Sequence, residues 1–494
     1  MAGVGFEIRR MLATDSYAGL LGAYGYAGLV SCGPWVLSMV GVLCIGVAAA
    51  GRGGPGDGVT AFLVSITWST AASLVLTGPL QLVFGRFVAD RVYERRRERI
   101  VPNLLGALGI ATLVSGVLGS AVAFGAFEVS LRCRALLVAN FVVLGDGWVM
   151  LVLLSGLKAY RAVAALAFAA QLVSVGGAVT LRRLGLEGLL AGYATGQAGA
   201  LFGMLVLVLR AFPGERRVRF DFLRPGEARY ELAAIGLVFY LGTWADKAVF
   251  WLDPATSSRV IGPLRASAIY DLPIFLAYLS AIPAMTVFFL RLEADFARRC
   301  EAFLRAVREG APLRRIQEVQ DGMVSCVRRG LAEILAIEGL VLVLVLAAGP
   351  ALLAAAGISP LHLRLLHVDV AAVGLQVLFL AVLNVLLYLD ERGSALALTL
   401  LFGGGNLLFT LVTQRLGPDA FGLGFAAAAF TASAAGLPVL ARKLERLDRD
   451  TFMRQPLWPA AARPSRRRAR PAAAPRGFPS LTPAVVPSQS RRES

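Results

Sequence analysis

The chain alternates between long apolar stretches and short segments rich in arginine. Because a helix needs roughly 20 apolar residues to cross a bilayer, each such stretch predicts one transmembrane helix. Continuous apolar runs also argue against a β-barrel, whose strands alternate polar and apolar residues over about 10 positions. The pattern predicts spans at 20–48, 60–84, 102–127, 135–157, 162–181, 187–210, 231–252, 268–290, 331–356, 368–389, 394–415 and 419–441.

The positions of the basic residues predict the orientation of these spans. Cytoplasmic loops of membrane proteins are enriched in lysine and arginine. With the N-terminus in the cytoplasm, 39 of the 49 lysines and arginines fall in cytosolic segments. The sequence therefore predicts an all-α polytopic membrane protein with about twelve transmembrane helices and cytosolic N and C termini.

A basic segment divides the predicted spans six and six, which is typical of a transporter with a route between two bundles. The last part of the chain is rich in proline and arginine and lacks an apolar period, so we expect it to be disordered. The predicted organisation is a cytosolic amphipathic N-terminus (1–19), an N-terminal six-helix bundle (20–210), a basic cytosolic linker (211–230), a C-terminal six-helix bundle (231–441) and a disordered cytosolic tail (442–494).

Composition supports this assignment and excludes a soluble enzyme domain, a disordered chain and a disulfide scaffold. The chain is 57% hydrophobic and 16% charged, whereas soluble domains are typically about 45–50% apolar and about 25% charged. The net charge of +17 is concentrated in the predicted cytosolic segments. It therefore indicates membrane topology and contact with anionic inner-leaflet lipids, and we expect no nucleic-acid partner.

The one sizeable soluble feature is the segment 291–330, within the C-terminal bundle. Leu292, Phe296, Cys300, Phe303 and Val307 recur at helical spacing, and a Gly-Ala-Pro break and a second apolar stripe follow. This pattern predicts a cytosolic helical hairpin. Its apolar face either packs on the hairpin itself or on the membrane, or it forms a docking surface for a cytosolic partner through Phe296, Phe303 and Val307.

Signals for catalysis are weak. The sequence has no phosphate-binding GxxxxGK[ST] loop, no CxxC pair and only two histidines. No loop is long enough to hold a catalytic domain. We therefore expect no enzymatic activity, no cofactor and no metal.

Polar residues inside the apolar spans are the candidate site. A charge near the bilayer centre costs at least about 2.5–3.5 kcal/mol, so it should face a cavity or a partner. In span seven, Trp244, Lys247 and Trp251 share one helical face, whereas Asp246 points about 100° away and should not neutralise its neighbour. Two indoles and a cation suit a sugar, although Trp251 near the span end also fits an interfacial anchor.

Span four carries a second polar group, Asn140, Asp146 and Trp148. Our hypothesis is that Asp146, or another acid of the N-terminal half, faces Lys247 across a central cavity. The alternative is a structural pair buried between helices. The residues of spans four and seven together form the predicted substrate pathway.

Four segments carry a family resemblance: VGFEIRRML, LLGAYGYAGLVSCGPWVLSM, FYLGTWADKAVFW and VIGPLRASAIYDLPIFLAYLSAIPAMTVFFLRLEADF. They resemble the PelG family, the inner-membrane transporters of the Pel exopolysaccharide machinery. This family lies within the multidrug/oligosaccharidyl-lipid/polysaccharide flippase superfamily. The resemblance covers roughly residues 1–450 and leaves out the tail.

The resemblance implies a twelve-helix exporter of two six-helix bundles in a bacterial inner membrane. Such a protein would move an amino-sugar-rich polysaccharide from a cytosolic glycosyltransferase to the periplasm, together with other Pel inner-membrane proteins, for the biofilm matrix. The resemblance brings no established set of site residues, so those named above come from the sequence pattern.

Three alternatives stay open. A flippase for lipid-linked oligosaccharides usually needs several cations in its cavity, whereas the predicted spans contain one, Lys247. A cation-coupled antiporter needs a titrating carboxylate, for which Asp146 or Asp246 would qualify. A membrane scaffold that anchors a polysaccharide synthase would use the hairpin but not the polar residues of the spans.

Overall fold

The computed structural model describes residues 33–49, 56–156, 160–212, 217–225, 229–355 and 358–449. The predicted amphipathic N-terminus, the first part of span one and nearly all of the tail lie outside the described residues. The described residues up to Asp448 form one compact unit.

The described residues form fourteen α-helices, a two-stranded sheet and a π-helix at Phe289–Phe296. The strands are β1 (Ser258–Ile261) and β2 (Leu264–Ala266). The helices are α1 (Gly33–Ala49), α2 (Asp57–Tyr93), α3 (Ile100–Ala126), α4 (Leu131–Gly156), α5 (Tyr160–Leu181), α6 (Leu186–Ala211), α7 (Tyr230–Leu252), α8 (Asp271–Ser280), α9 (Ile282–Phe288), α10 (Ala297–Arg308), α11 (Leu313–Ala355), α12 (Leu363–Tyr388), α13 (Arg392–Leu416) and α14 (Leu423–Glu445).

Most of these helices are long and apolar enough to cross a membrane. Ten of the described helices meet this condition, and α8 with the helical segment after it forms one further span with a bend of 44°. Pro283 lies at the start of α9, where its missing N–H interrupts the helical hydrogen bonds. The prediction of an all-α, multi-pass membrane protein is confirmed.

The spans differ in how much of their surface they bury. In the apolar stretch of α12, 72% is buried inside the protein, whereas in that of α11 only 17% is buried. Large apolar side chains such as Phe202, Val343 and Leu408 are exposed, as expected for surfaces that face lipid. We call the residues before the linker the N-terminal half and those after it the C-terminal half. Helix α12 therefore forms the core of the C-terminal half.

Helices α2 and α7 pack against each other and join the two halves. A Cβ atom on Gly236 would lie 2.3 Å from the carbonyl oxygen of Gly78, so two glycines meet at the crossing. Nearby, the Tyr240 hydroxyl donates a hydrogen bond of 2.9 Å to Gln81 Oε1. Small residues permit such close backbone contact between membrane helices.

The linker is anchored where the structure describes it. The Asn103 side chain in α3 donates to Asp221 Oδ2 at 3.2 Å, and its Oδ1 accepts from the Asp221 backbone N–H at 2.6 Å. Phe222 is fully buried and packs edge-on against Phe84. This part of the linker is therefore a docked segment on the start of α3.

The helical hairpin of segment 291–330 packs on itself. Helix α10 and the first part of α11 bring their two apolar stripes together, and the Arg291 guanidinium donates to both oxygens of Glu333 at 2.7 and 2.9 Å. Phe296 and Phe303 are 0% and 1% exposed, and Val307 is half-buried. The two phenylalanines are therefore not exposed to a docking partner, and Phe296 also packs edge-on against Tyr388 of α12.

Candidate functional site

The cation of span seven is buried and paired with its own neighbour. Lys247 Nζ lies 3.0 Å from Asp246 Oδ2 and 3.2 Å from Oδ1, and the two residues are 4% and 0% exposed. The expectation that Asp246 could not neutralise Lys247 is wrong. The 100° between successive residues fixes only the Cα–Cβ directions, whereas the flexible four-carbon lysine stem lets Nζ turn back to its neighbour.

Asp246 receives further donors from other helices. The Tyr270 hydroxyl donates to Oδ2 at 2.6 Å, and Asn406 Nδ2 in α13 donates to Oδ1 at 3.1 Å. A buried charge is tolerated when it is both paired and hydrogen-bonded. The Asp246 carboxylate is therefore held in place from α7, α13 and the segment before α8.

Lys247 extends this network into α8 and α12. Its Nζ donates to the Thr243 carbonyl at 3.1 Å and to the Tyr278 hydroxyl at 3.4 Å. Tyr278 donates to Gln376 Oε1 at 3.0 Å. The ammonium also lies 5.8 Å from the Trp244 ring centroid, within the range of a cation–π contact.

Asp369 in α12 is a candidate site residue that the sequence analysis missed. It is fully buried, and neither of its carboxylate oxygens has a hydrogen-bond partner among the described residues. It packs under Gly422, where an added Cβ would lie 2.9 Å from Oδ1. The signal was a charge inside an apolar run, but the predicted span began at residue 368 and placed this carboxylate at the membrane edge.

The polar residues of span four form a separate group. Asp146 Oδ2 accepts a hydrogen bond of 2.7 Å from Thr112, and Oδ1 has no partner among the described residues. Asn140 Nδ2 bridges to the Leu190 carbonyl at 3.1 Å. Asp146 does not pair with Lys247, so that hypothesis is wrong: Lys247 finds a carboxylate on its own helix instead.

Trp148 is fixed by a hydrogen bond of 3.0 Å from its indole nitrogen to Ser73 Oγ. It lines a small cavity of about 60 Å³ within the N-terminal half, together with Ser38, Gln171 and Gln197. The structure thus places the pathway residues predicted from span four in the N-terminal half and those from span seven in a different polar network. Their role in transport remains a prediction.

The tryptophans of span seven come together as predicted from their spacing. The ring centroids of Trp244 and Trp251 lie 5.9 Å apart, and Trp251 stacks at 4.6 Å on Trp68 of α2. Trp251 is 3% exposed, and its indole nitrogen donates to Asp271 Oδ1 at 2.7 Å. The alternative interpretation of Trp251 as an interfacial anchor is therefore wrong.

Comparisons with known proteins agree with this architecture. The sequence profile of the PelG family, described as "Putative exopolysaccharide Exporter (EPS-E)", matches residues 1–452. No curated protein matches the chain.

Several solved transporter structures share the fold. A MATE structure in the bent conformation is 12% identical with a TM-score of 0.61, over 87% of this chain and 96% of that chain. An outward-facing multidrug resistance MATE transporter of the MOP superfamily is 14% identical with a TM-score of 0.56, over 86% and 96%. A MOP superfamily transporter from Pyrococcus furiosus is 12% identical with a TM-score of 0.56, over 85% and 96%.

Proposed function

Since the chain belongs to the PelG family, we propose that it exports a Pel-like exopolysaccharide from the cytoplasm to the periplasm across a bacterial inner membrane. The match of the family profile over residues 1–452 is the observation that carries this proposal. The transporter fold and the multi-pass membrane architecture agree with it.

The buried network on α7 suits a polysaccharide that contains amino sugars. Lys247 and Asp246 form an ion pair, so together they present no net charge to the substrate. A cationic polymer would be repelled by an unpaired lysine in a medium of low dielectric, but not by this pair. Hydroxyl and amide groups of Tyr278 and Gln376 match the hydroxyl groups of a sugar.

A cytosolic glycosyltransferase, together with other Pel inner-membrane proteins, is the proposed partner that supplies the polymer. Because Phe296 and Phe303 are buried, contact with it falls to the outer face of α10. That face exposes Leu304 and Arg305, an apolar and a charged side chain next to each other. Such a surface fits the usual anatomy of a protein interface, in which a polar rim surrounds apolar contacts and arginine is enriched.

Deletion of the gene and its restoration test the proposal. The deletion strain should secrete no polymer while its glycosyltransferase remains active in membranes, and the wild-type gene should restore secretion. Polymer in the medium and polymer retained in the cell are measured separately, together with the membrane level of the protein. Undiminished secretion by the deletion strain would contradict the proposed function.

A cation-coupled transporter is a second candidate, favoured by Asp369. A fully buried carboxylate without a partner is strongly disfavoured as an anion, so this position suits a bound proton or monovalent cation. Asp246, by contrast, already has Lys247 as its partner. If coupling occurs here, a protonophore should stop export by the wild type, and Asp369→Asn should export slowly at every proton gradient. Export unaffected by either change would contradict this candidate.

A further inference from the structure

Three of the six tryptophans of the chain meet where α2 contacts α7. Trp68 belongs to the N-terminal half, whereas Trp244 and Trp251 belong to the C-terminal half. Trp68 and Trp251 stack with their ring centroids 4.6 Å apart and their planes tilted by 35°. The aromatic row therefore crosses from one half of the protein to the other.

The β-hairpin of β1 and β2 lies over this row. It follows α7 in the chain, and its Arg265 carbonyl accepts a hydrogen bond of 2.8 Å from the Trp68 indole nitrogen. At its turn, Gly262 has a φ of +52°, and an added Cβ would lie 2.7 Å from the Phe127 ring at the end of α3. Helix α7, long and apolar enough to cross the membrane, separates the β-hairpin from the basic linker, so the β-hairpin lies on the side opposite the linker.

The contacts around Trp251 show which parts would move together. Its indole nitrogen donates to Asp271 at 2.7 Å, and its carbonyl accepts from Ser257 Oγ at 2.8 Å. Ser257 Oγ in turn accepts from Arg265 Nε at 2.8 Å. Trp251, the start of α8 and the β-hairpin are thus tied to one another by side-chain hydrogen bonds.

Trp68 is joined to this group by its stacking on Trp251 and by one hydrogen bond. It is half-buried, and its hydrogen bond to the Arg265 carbonyl is of a kind that contributes about 1 kcal/mol. The half-buried side chains of Ile261 and Leu264 add limited apolar contact with the N-terminal half. If the two halves separated on the side of the β-hairpin, Trp68 and Trp251 would move apart, and one face of each indole would become exposed.

We propose that Trp68 and Trp251 form a saccharide-binding clamp at the exit of the polymer route, closed in this structure by the β-hairpin. The clamp opens when the β-hairpin leaves Phe127, and the two indoles then stack on pyranose rings of the leaving polymer. Indole faces bind the C–H faces of sugars, and Asp271 and Arg265 beside them supply hydrogen bonds to hydroxyl groups. This inference rests on the proposed function.

A disulfide across the clamp tests whether it must open. Gly262→Cys with Phe127→Cys should form one, because a Cβ on Gly262 would lie 3.0 Å from Phe127 Cγ. Ser258→Cys with Ala266→Cys is the matched control, since these residues are partners within the β-hairpin and their disulfide leaves the N-terminal half free. Thiol blocking and a gel shift measure how much of each pair is oxidised.

The Gly262→Cys/Phe127→Cys variant should secrete no polymer when its disulfide is formed, and a reductant should restore secretion. The control variant should secrete polymer in both the oxidised and the reduced state. Secretion at the wild-type rate by the fully oxidised Gly262→Cys/Phe127→Cys variant would overturn the proposal that the clamp must open. If wild-type complementation itself restores no secretion, the proposed function fails, and that outcome differs from a failure of the disulfide variant alone.

Substitutions of Trp68 test the sugar contact without relying on a disulfide. Trp68→Phe keeps a flat ring and should retain most secretion, whereas Trp68→Leu should lower it at least tenfold at an equal membrane level. Binding of chitopentaose by the purified protein, followed by tryptophan fluorescence, should weaken at least fivefold in Trp68→Leu and less than twofold in Trp68→Phe. Equal binding and secretion by the leucine and phenylalanine variants would overturn the inference.

Discussion

Lys247 donates to the carboxylate of Asp246, the residue directly before it in α7, and both are almost completely buried. The pair is part of a network that includes Tyr270 and Asn406, so the charge of each partner is balanced locally. The C-terminal half therefore holds its one described membrane-embedded lysine without help from the N-terminal half. The Lys247–Asp246 ion pair would therefore stay intact if the two halves separated.

The first prediction concerns the stability of this pair. Lys247→Met should lower the free energy of unfolding by about 3–5 kcal/mol, because it leaves the Asp246 carboxylate buried without a cation. The double variant Lys247→Met with Asp246→Asn should recover most of this loss, since no charge remains. Thermal unfolding in detergent measures the effect, and a double variant less stable than Lys247→Met would contradict the pairing.

The same double variant separates stability from transport. If the charged pair lines the route, the well-folded double variant should secrete less polymer than the wild type at the same membrane level. Wild-type secretion would show that the pair serves only to hold α7 in place.

The second prediction concerns the contact between α2 and α7. Gly236→Ala should destabilise the protein and lower its membrane level, because the new Cβ would lie 2.3 Å from the Gly78 carbonyl oxygen. Gly199→Ala is the matched control, since a Cβ there meets nothing within 4 Å, and alanine favours a helix by about 1 kcal/mol. The midpoint of thermal unfolding should fall for the first variant and stay equal or rise for the second.

The sequence predicted the spans well and the side-chain pairing poorly, for physical reasons. A span needs many apolar residues in succession, so single residues hardly affect its detection. The direction of a long side chain is different, because helical periodicity fixes where Cβ points but not where Lys247 Nζ ends. The β-hairpin was missed because Ser258–Ile261 is too short to show a strand pattern, and its position depends on contacts with α2 and α3.

The third prediction concerns pH and the loop between α12 and α13. Burial opposes ionisation of Asp390, but hydrogen bonds from Arg392 at 2.8 and 2.9 Å and the nearby Arg86 outweigh it and hold the pKa of Asp390 below its ordinary value. A carboxyl group with a depressed pKa stabilises the fold at pH values above its ordinary pKa of 3.8. This stabilisation is lost as the pH falls from 3.8 through the lower pKa that the group has in the folded protein.

Asp390→Asn should therefore unfold at a lower temperature than the wild type at pH 7, and the difference should shrink below about pH 4. Asp253→Asn is a suitable control, because that half-buried loop aspartate accepts a hydrogen bond from the Ala255 backbone N–H, which an asparagine side chain can also accept. A difference that stays constant down to acidic pH would contradict a contribution from the ionised carboxylate of Asp390.

The last prediction distinguishes a self-packed hairpin from an open docking face. Cys300 in α10 is 7% exposed, and burial raises the pKa of its thiol to about 11, so at pH 7.4 it should react very slowly with maleimide. Leu304→Cys, one turn later on the exposed face of the same helix, should react at least tenfold faster. Labelling is measured by mass spectrometry on the purified protein, and addition of urea should bring Cys300 to the faster rate. Equal labelling of the two positions in the native protein would show that the apolar face of α10 is open, and Phe296 and Phe303 would again be candidates for partner docking.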